Sequence, residues 1–215
     1  MKRVRPVWLA SYPRSGNTFL RTILWHCFGM VSASVYPNDL GGNRELEHYV
    51  GHIEHAGAGR VEFPSGAVPL IKTHDYPRDG NPAIYVVRDG IAASVSLFRF
   101  YGERMPMRDV IGGKHRFGTW SAHLNAWKPW ERTDTLLLRY EQLRDNLPAA
   151  LESIGAFLER DMVSQIVPER DRIAKVDGRW VRTASDEAKL ISLELRELFI
   201  EVNGSMMRQM GYGVE

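Results

Sequence analysis

Apolar, β-branched and aromatic residues gather in four short runs, Pro6–Ser11, Val68–Thr73, Ala83–Val87 and Thr135–Tyr140, each of the length expected for a buried strand. Between and after them the spacing becomes helical. Asn17–Phe28 carries Leu20, Ile23, Leu24 and Cys27 on one face, and Ile91–Tyr101 and Trp120–Trp130 follow the same period. Pro148–Leu158 opens with a proline, which a first helical turn tolerates. Near the C-terminus Ser185-Asp186-Glu187 predicts the cap of a long amphipathic helix bearing Leu190, Leu195, Leu198 and Val202 and stopped at Gly204. Strands alternating with helices predict an α/β three-layer sandwich around a central parallel sheet. In such sheets ligands bind beyond the carboxyl ends of the strands. Two stretches, Ser32–Gly66 and Gly102–Gly118, lack either period, and loops this long inside a compact fold are usually functional or mobile.

Composition narrows this picture without changing it. With 215 residues, 44% hydrophobic and 25% charged, the chain is expected to form one domain over residues 1–215. The net charge of +2, from 28 basic and 26 acidic residues, gives no overall excess to coat nucleic acid or an anionic membrane, so any basic site must be local. Cys27 stands alone, which excludes an internal disulfide and fits a reducing compartment. The basic N-terminus is interrupted by Ser11 and Pro13 before a signal-peptide core forms, and no window reaches the ~18 apolar residues of a membrane span. These features predict a soluble, cytoplasmic protein. Trp120, Trp127 and Trp130 read as core or pocket wall, since no basic residues interleave them as in a nucleic-acid platform.

The strongest chemical signal lies in ASYPRSGNTFLR, Ala10 to Arg21. After a strand and opening a helix, Tyr12–Thr18 aims backbone N–H groups and a helix N-terminus at an anion. Gly16 permits close approach, and Ser15, Thr18 and Arg14 add donors. The triphosphate pattern G-x-x-x-x-G-K-[ST] is not met: Ser11 replaces the first glycine and Asn17 the lysine, while the cation has moved upstream to Arg14.

YPRSGNTF resembles the 5′-phosphosulfate loop of cytosolic-type sulfotransferases, which use 3′-phosphoadenosine 5′-phosphosulfate (PAPS), and four further segments resemble that family in order. PLIKTH, Pro69–His74, is similar to its strand ending in Lys-Thr-His. IYVVRDGIAASVSLFRFY, Ile84–Tyr101, is similar to its 3′-phosphate segment. FGTWSAHLNAW and LLLRYEQL are similar to a helix and a strand that follow. The resemblance spans about Val7 to Leu158.

It implies PAPS as co-substrate and the bisphosphate PAP as product, with no metal required. By the same resemblance the loop residues Arg14, Ser15, Gly16, Asn17, Thr18 and Phe19 bind the nucleotide, Phe19 and Tyr140 lying near the adenine. Asn17 donates through its amide or leaves its backbone N–H to do so. Arg88 and Ser96 hold the 3′-phosphate, a guanidinium gripping phosphate through paired hydrogen bonds. His74 is the candidate base, and Lys72 and Arg14 stabilise charge on the leaving group. His123 is the reserve base, because the resembling helix faces the acceptor pocket in the family. The family's C-terminal Arg-Lys-Gly is out of register in RDRIAKVDGRW, where Arg170, Arg172 or Lys175 replaces it or the cluster is a solvated face.

His48, His52 and His55 share a face if their segment is helical, a spacing that suits a metal. Gly51 weakens that helix and Glu45, Glu47 and Glu54 suit a wet surface, so no metal is assigned. The expected reaction is sulfuryl transfer to a hydroxyl of a small-molecule or natural-product acceptor, with an amine as the second choice. The alternatives are a non-catalytic PAP/PAPS-binding protein and a P-loop phosphotransferase. Tyr36, Tyr49, Phe63, Met105, Met107 and Phe117 in the irregular stretches suggest a partly apolar acceptor. The chain is short for the family, consistent with an open pocket or one completed by a second subunit in a homodimer.

Overall fold

A computed structural model describes residues 5–56, 60–181 and 191–213, apart from the side chain of Glu103. Five strands form one parallel sheet in the order β2-β3-β1-β4-β5: β1 (Val7–Ser11), β2 (Ser32–Ser34), β3 (Leu70–Thr73), β4 (Ala83–Val87) and β5 (Thr135–Arg139). The central strands alternate sides at a period of two, so each face of the sheet has its own core. Leu9, Ile84 and Val86 point to one side, under α1 (Asn17–Phe28), α6 (Tyr140–Asp145) and α7 (Leu147–Leu158). Ala10, Tyr85 and Val87 point to the other, under α3 (Gly90–Tyr101), α4 (Met107–Ile111), α5 (Trp120–Trp127) and α9 (Leu193–Gln209). A third, small cluster joins α2 (Arg44–Val50) to α8 (Arg170–Val176) through Leu40, Leu46, Val50 and Ile173.

The four expected strands and the helical segments after them are present with shifted ends. Trp120–Trp130 shortens to Trp120–Trp127, because Lys128 turns left-handed (φ 41) ahead of Pro129. Tyr140-Glu141, read as the end of a strand, instead starts α6. The capping triplet Ser185-Asp186-Glu187 and Leu190 lie outside the described residues. Within them, the last helix begins at Leu193, with the Ser192 hydroxyl accepting from the Leu195 N–H, and it does not stop at Gly204. Burial of Met206, Met207 and Met210 beyond that glycine favours continuing the helix over the local stop signal.

The stretch Ser32–Gly66 is not all loop. Ser32–Ser34 forms the edge strand β2 although its sequence is polar, because the buried Arg21 guanidinium donates to Ser32 Oγ at 2.8 Å. Asn43 caps α2 by accepting from the Leu46 N–H, and Gly51 ends it in the left-handed region (φ 62). His48, His52 and His55 therefore do not share a helical face, and no metal-binding cluster occurs among the described residues. His52 Nδ1 accepts from Arg21 Nη2 at 2.7 Å, and His55 donates to the Ser34 carbonyl.

Gly51 couples this region to the sheet: its carbonyl accepts from Ser32 N–H at 2.9 Å, and a β-carbon there would stand 2.6 Å from Trp25 Cγ. Gly51→Ala combines that clash with an unfavourable positive φ and is expected to cost about 1–3 kcal/mol. Urea denaturation checks this; an unchanged midpoint contradicts the packing described.

Candidate active site

The loop after β1, His74 after β3, Arg88 after β4 and Tyr140 after β5 all stand at the carboxyl ends of their strands and border one cleft of about 250 Å³. This is the rim expected of an open parallel sheet whose strand order reverses about β1. Among the described residues that line it, five are cationic (Arg14, Lys72, Arg88, Arg116 and Arg170) and Asp39 alone is a carboxylate. A chain of net charge +2 thus concentrates positive potential at one place.

The phosphate loop has the geometry of an anion cradle. Arg14 (φ 65) and Gly16 (φ 100) are left-handed, and no side chain caps α1, so its first-turn N–H groups stay open. Only glycine fits at 16, since a β-carbon would stand 2.4 Å from Tyr140 Cδ2. Thr18 and Phe19 line the cleft; Ser15 is fully buried, and its Oγ has no hydrogen-bond partner among the described residues. An orphaned hydroxyl in the loop suits an absent anionic ligand. Asn17 Nδ2 turns back to the Leu9 carbonyl at 2.8 Å, which leaves its backbone N–H for a ligand.

Arg14 is directed toward α3. Its Nε donates to Ser96 Oγ at 3.3 Å, and its guanidinium lies 5.3 Å from the centre of the Phe100 ring. Arg88 donates to the Arg14 carbonyl at 3.0 Å and sits 4.8 Å over the Tyr140 ring, whose hydroxyl accepts from Arg170 Nη1 at 2.9 Å. Phe19 meets Tyr140 edge-on, with centroids 6.4 Å apart. Arg14, Arg88, Ser96, Phe100, Tyr140 and Arg170 thus converge on one end of the cleft. Of the three basic residues considered for the C-terminal segment, only Arg170 lines it; Lys175 does not, and Arg172 packs over Tyr49 at 5.8 Å.

At the other end the histidine tautomers follow from their partners. His74 Nδ1 lies 2.8 Å from the Ser11 carbonyl oxygen, which can only accept, so Nδ1 carries the proton and Nε2 is the basic nitrogen. The ring stacks on Tyr36 at 6.0 Å and meets the edge of Phe117 at 5.9 Å, while the His74 N–H donates to Tyr36 Oη at 2.8 Å. Burial, then the Lys72 charge, holds His74 well below the usual imidazole range, and burial pushes the Tyr36 hydroxyl up to about 12. His123 does not line the cleft. It is fully buried, accepts from the Tyr85 hydroxyl at 2.7 Å and donates through Nε2 to the His74 carbonyl at 3.0 Å, which makes it a support for His74. The cleft residues that sequence reasoning passed over include Asp39, Phe100 and Arg116. The only local hint of the first was the Asp-Leu-Gly-Gly turn in an otherwise patternless stretch.

A family model described as a sulfotransferase domain matches residues 5–177. Human Sulfotransferase 4A1 is 24% identical over 72% of this chain, which spans 61% of that relative's length. Among solved structures, mouse sulfotransferase SULT7A1 complexed with PAP superposes with a TM-score of 0.62 at 18% identity, covering 96% of this chain and 84% of that one. Retinol dehydratase in a complex with retinol and PAP gives 0.63 at 15%, covering 97% and 82%. At these identities the two structures establish a shared fold.

The buried histidines dictate an acid limit. His52 and His123 are both held at about 4 and His74 well below 6.5, in each case by burial first. Once unfolded they protonate near ~6.5. Their contribution to stability is therefore complete above that pH and is lost as pH falls toward 4, at about 1.4 kcal/mol per pH unit for each histidine protonated only in the unfolded chain. Urea midpoints that fall from pH 7 to pH 5, with a shallower fall in His123→Gln, are expected; a flat profile contradicts the burial.

Proposed function

The chain belongs to the sulfotransferase domain family, and from that premise we propose that it transfers the sulfuryl group of PAPS to a hydroxyl of a small-molecule acceptor, residues 1–215 acting as one domain. The observation that carries this reading is His74, whose Nδ1 is locked on the Ser11 carbonyl so that Nε2 is left as the base at a cleft shared with Lys72 and an uncapped helix N-terminus.

PAPS supplies an activated sulfuryl group on a phosphate leaving group. The open N–H groups at the start of α1 and the Thr18 hydroxyl hold the 5′ end of the nucleotide. Arg88 and Ser96 hold its 3′-phosphate, and the direction of the Arg14 side chain supports counting Arg14 with them. Arg170 joins this end through Tyr140. Lys72, two residues before His74 on the same strand end, is the side-chain cation assigned to the leaving oxygen. The acceptor oxygen bonds to sulfur as the bond from sulfur to the bridging phosphate oxygen breaks; that oxygen keeps the electron pair, and the acceptor's proton passes to His74 Nε2. A low proton affinity at His74 keeps the imidazole neutral, the form a base requires, across the neutral pH range. Tyr36 and Phe117 flank His74 as aromatic walls and favour an acceptor with an apolar body.

Two features oppose the phosphotransferase reading: no lysine stands in the loop, and Asn17 faces the strand. No helix among the described residues is long and apolar enough to cross a membrane, and the lone buried cysteine supports a cytoplasmic setting.

His74→Ala is expected to lower transfer from PAPS to a phenolic test acceptor by about 10²–10⁴-fold, the range of a lost general base, with PAP affinity by calorimetry unchanged. Transfer persisting at the wild-type rate would remove His74 from the mechanism. Absence of both transfer and PAP binding in the wild type would overturn the reading as a whole.

A further inference from the structure

The mechanism above uses Lys72 but gives no role to the two charges buried with it. Asp39 opens the turn Asp39–Gly42, in which Leu40 (φ 61), Gly41 (φ 65) and Gly42 (φ 68) are left-handed in succession. Leu40 is fully buried and carries a side chain, so the turn is strained, and such strain persists only where the surroundings over-determine it. The turn delivers the Asp39 carboxylate to the inner end of the cleft. Its Oδ1 accepts from Lys72 Nζ at 2.5 Å and its Oδ2 from Arg21 Nη1 at 2.6 Å, with all three side chains at most 4% exposed.

The other charged or titratable groups facing Lys72 carry no negative charge to replace it. Arg21 and Arg14 are cations, and His74 and His52 are neutral, His52 Nδ1 accepting from Arg21. The Tyr36 and Trp180 rings lie 5.6 and 5.7 Å from the ammonium. Among the described residues Asp39 is the one carboxylate in ion-pair contact with Lys72.

We propose that Asp39 is a positioning residue: it keeps the Lys72 ammonium charged and fixed at the cleft, while Arg21 opposes that hold and so sets its strength. Proton acceptance is excluded as its role. Although burial would raise the Asp39 carboxyl, Lys72 and Arg21 together hold it well below the usual carboxylate range. Burial also pushes the Lys72 ammonium toward losing its proton, and Asp39 is the group that resists this. The catalytic consequence rests on the sulfuryl-transfer reading; the charge on Lys72 does not.

The test is therefore made without nucleotide. Trace acetylation of Lys72 across pH, read by peptide mass spectrometry, gives the titration midpoint of its amine. Asp39→Asn is expected to move that midpoint down by about 1–3 pH units, the effect of losing a contacting opposite charge. Asp39→Glu should restore most of it, and Arg21→Met, which leaves the Asp39–Lys72 pair intact, should move it up. A folded Asp39→Asn protein with an unmoved midpoint overturns the proposal. If that variant does not fold, Arg21→Met decides: a rise supports the proposal, and no change or a fall overturns it. A purely structural role would lower stability without moving the midpoint in opposite directions. Calorimetry with PAP on the same wild-type sample separates the two ideas, since absent PAP binding removes the sulfuryl-transfer reading and leaves the lysine titration as it was found.

Discussion

Three charges are buried where α1, the β2 edge and β3 meet, and they are tolerable only together. Asp39 lies between Arg21 and Lys72 at 2.6 and 2.5 Å; Arg21 also donates to Ser32 Oγ and to His52. One carboxylate thereby ties the first helix, the polar edge strand, the segment after α2 and the strand that delivers His74. Removing one partner of such a cluster leaves a buried charge uncompensated, which typically costs about 3–5 kcal/mol. The cluster is expensive to desolvate, and its place at the inner end of a cationic cleft gives a reason for retaining it that stability alone does not.

The rest of the cleft follows from where a parallel sheet puts its strand ends. β1, β3, β4 and β5 each release a polar or charged residue at the same rim: the phosphate loop, His74, Arg88 and Tyr140. The aromatic rings there orient the cations. Tyr140 fills the space that a side chain at Gly16 would need, carries Arg88 on its face and accepts from Arg170. The Phe100 ring is approached by the loop's Arg14 at 5.3 Å and by Arg179 at 4.9 Å. Cation–π contacts of this kind fix the direction of a guanidinium group over a ring face.

Local chemistry made part of this legible in advance. A strand followed by Ser-Gly and a helix announces an anion loop because every partner lies within a few residues, and Lys72 and His74 share a strand end. What stayed hidden depends on distant partners. Arg14 points where Ser96 lies, 82 positions along the chain, so its direction cannot be read from the loop. The Asp39 contacts span 18 and 33 positions. β2 escaped the hydrophobic pattern because its serines are satisfied inside the fold, Ser32 Oγ by Arg21 and Ser34 Oγ by the Tyr36 N–H. Gly204 misled because a stop signal is a local rule, and the methionines beyond it are buried by contacts from other elements.

If the cleft binds both phosphate groups of one nucleotide, the second lies at Arg14, Arg88 and Ser96. Titration calorimetry with PAP and with adenosine 5′-monophosphate, which lacks only the 3′-phosphate, isolates that second site. Charge-assisted contacts to arginine predict PAP binding at least ~10-fold tighter, a difference of about 1.4 kcal/mol or more. Equal affinities for the two nucleotides would contradict the account.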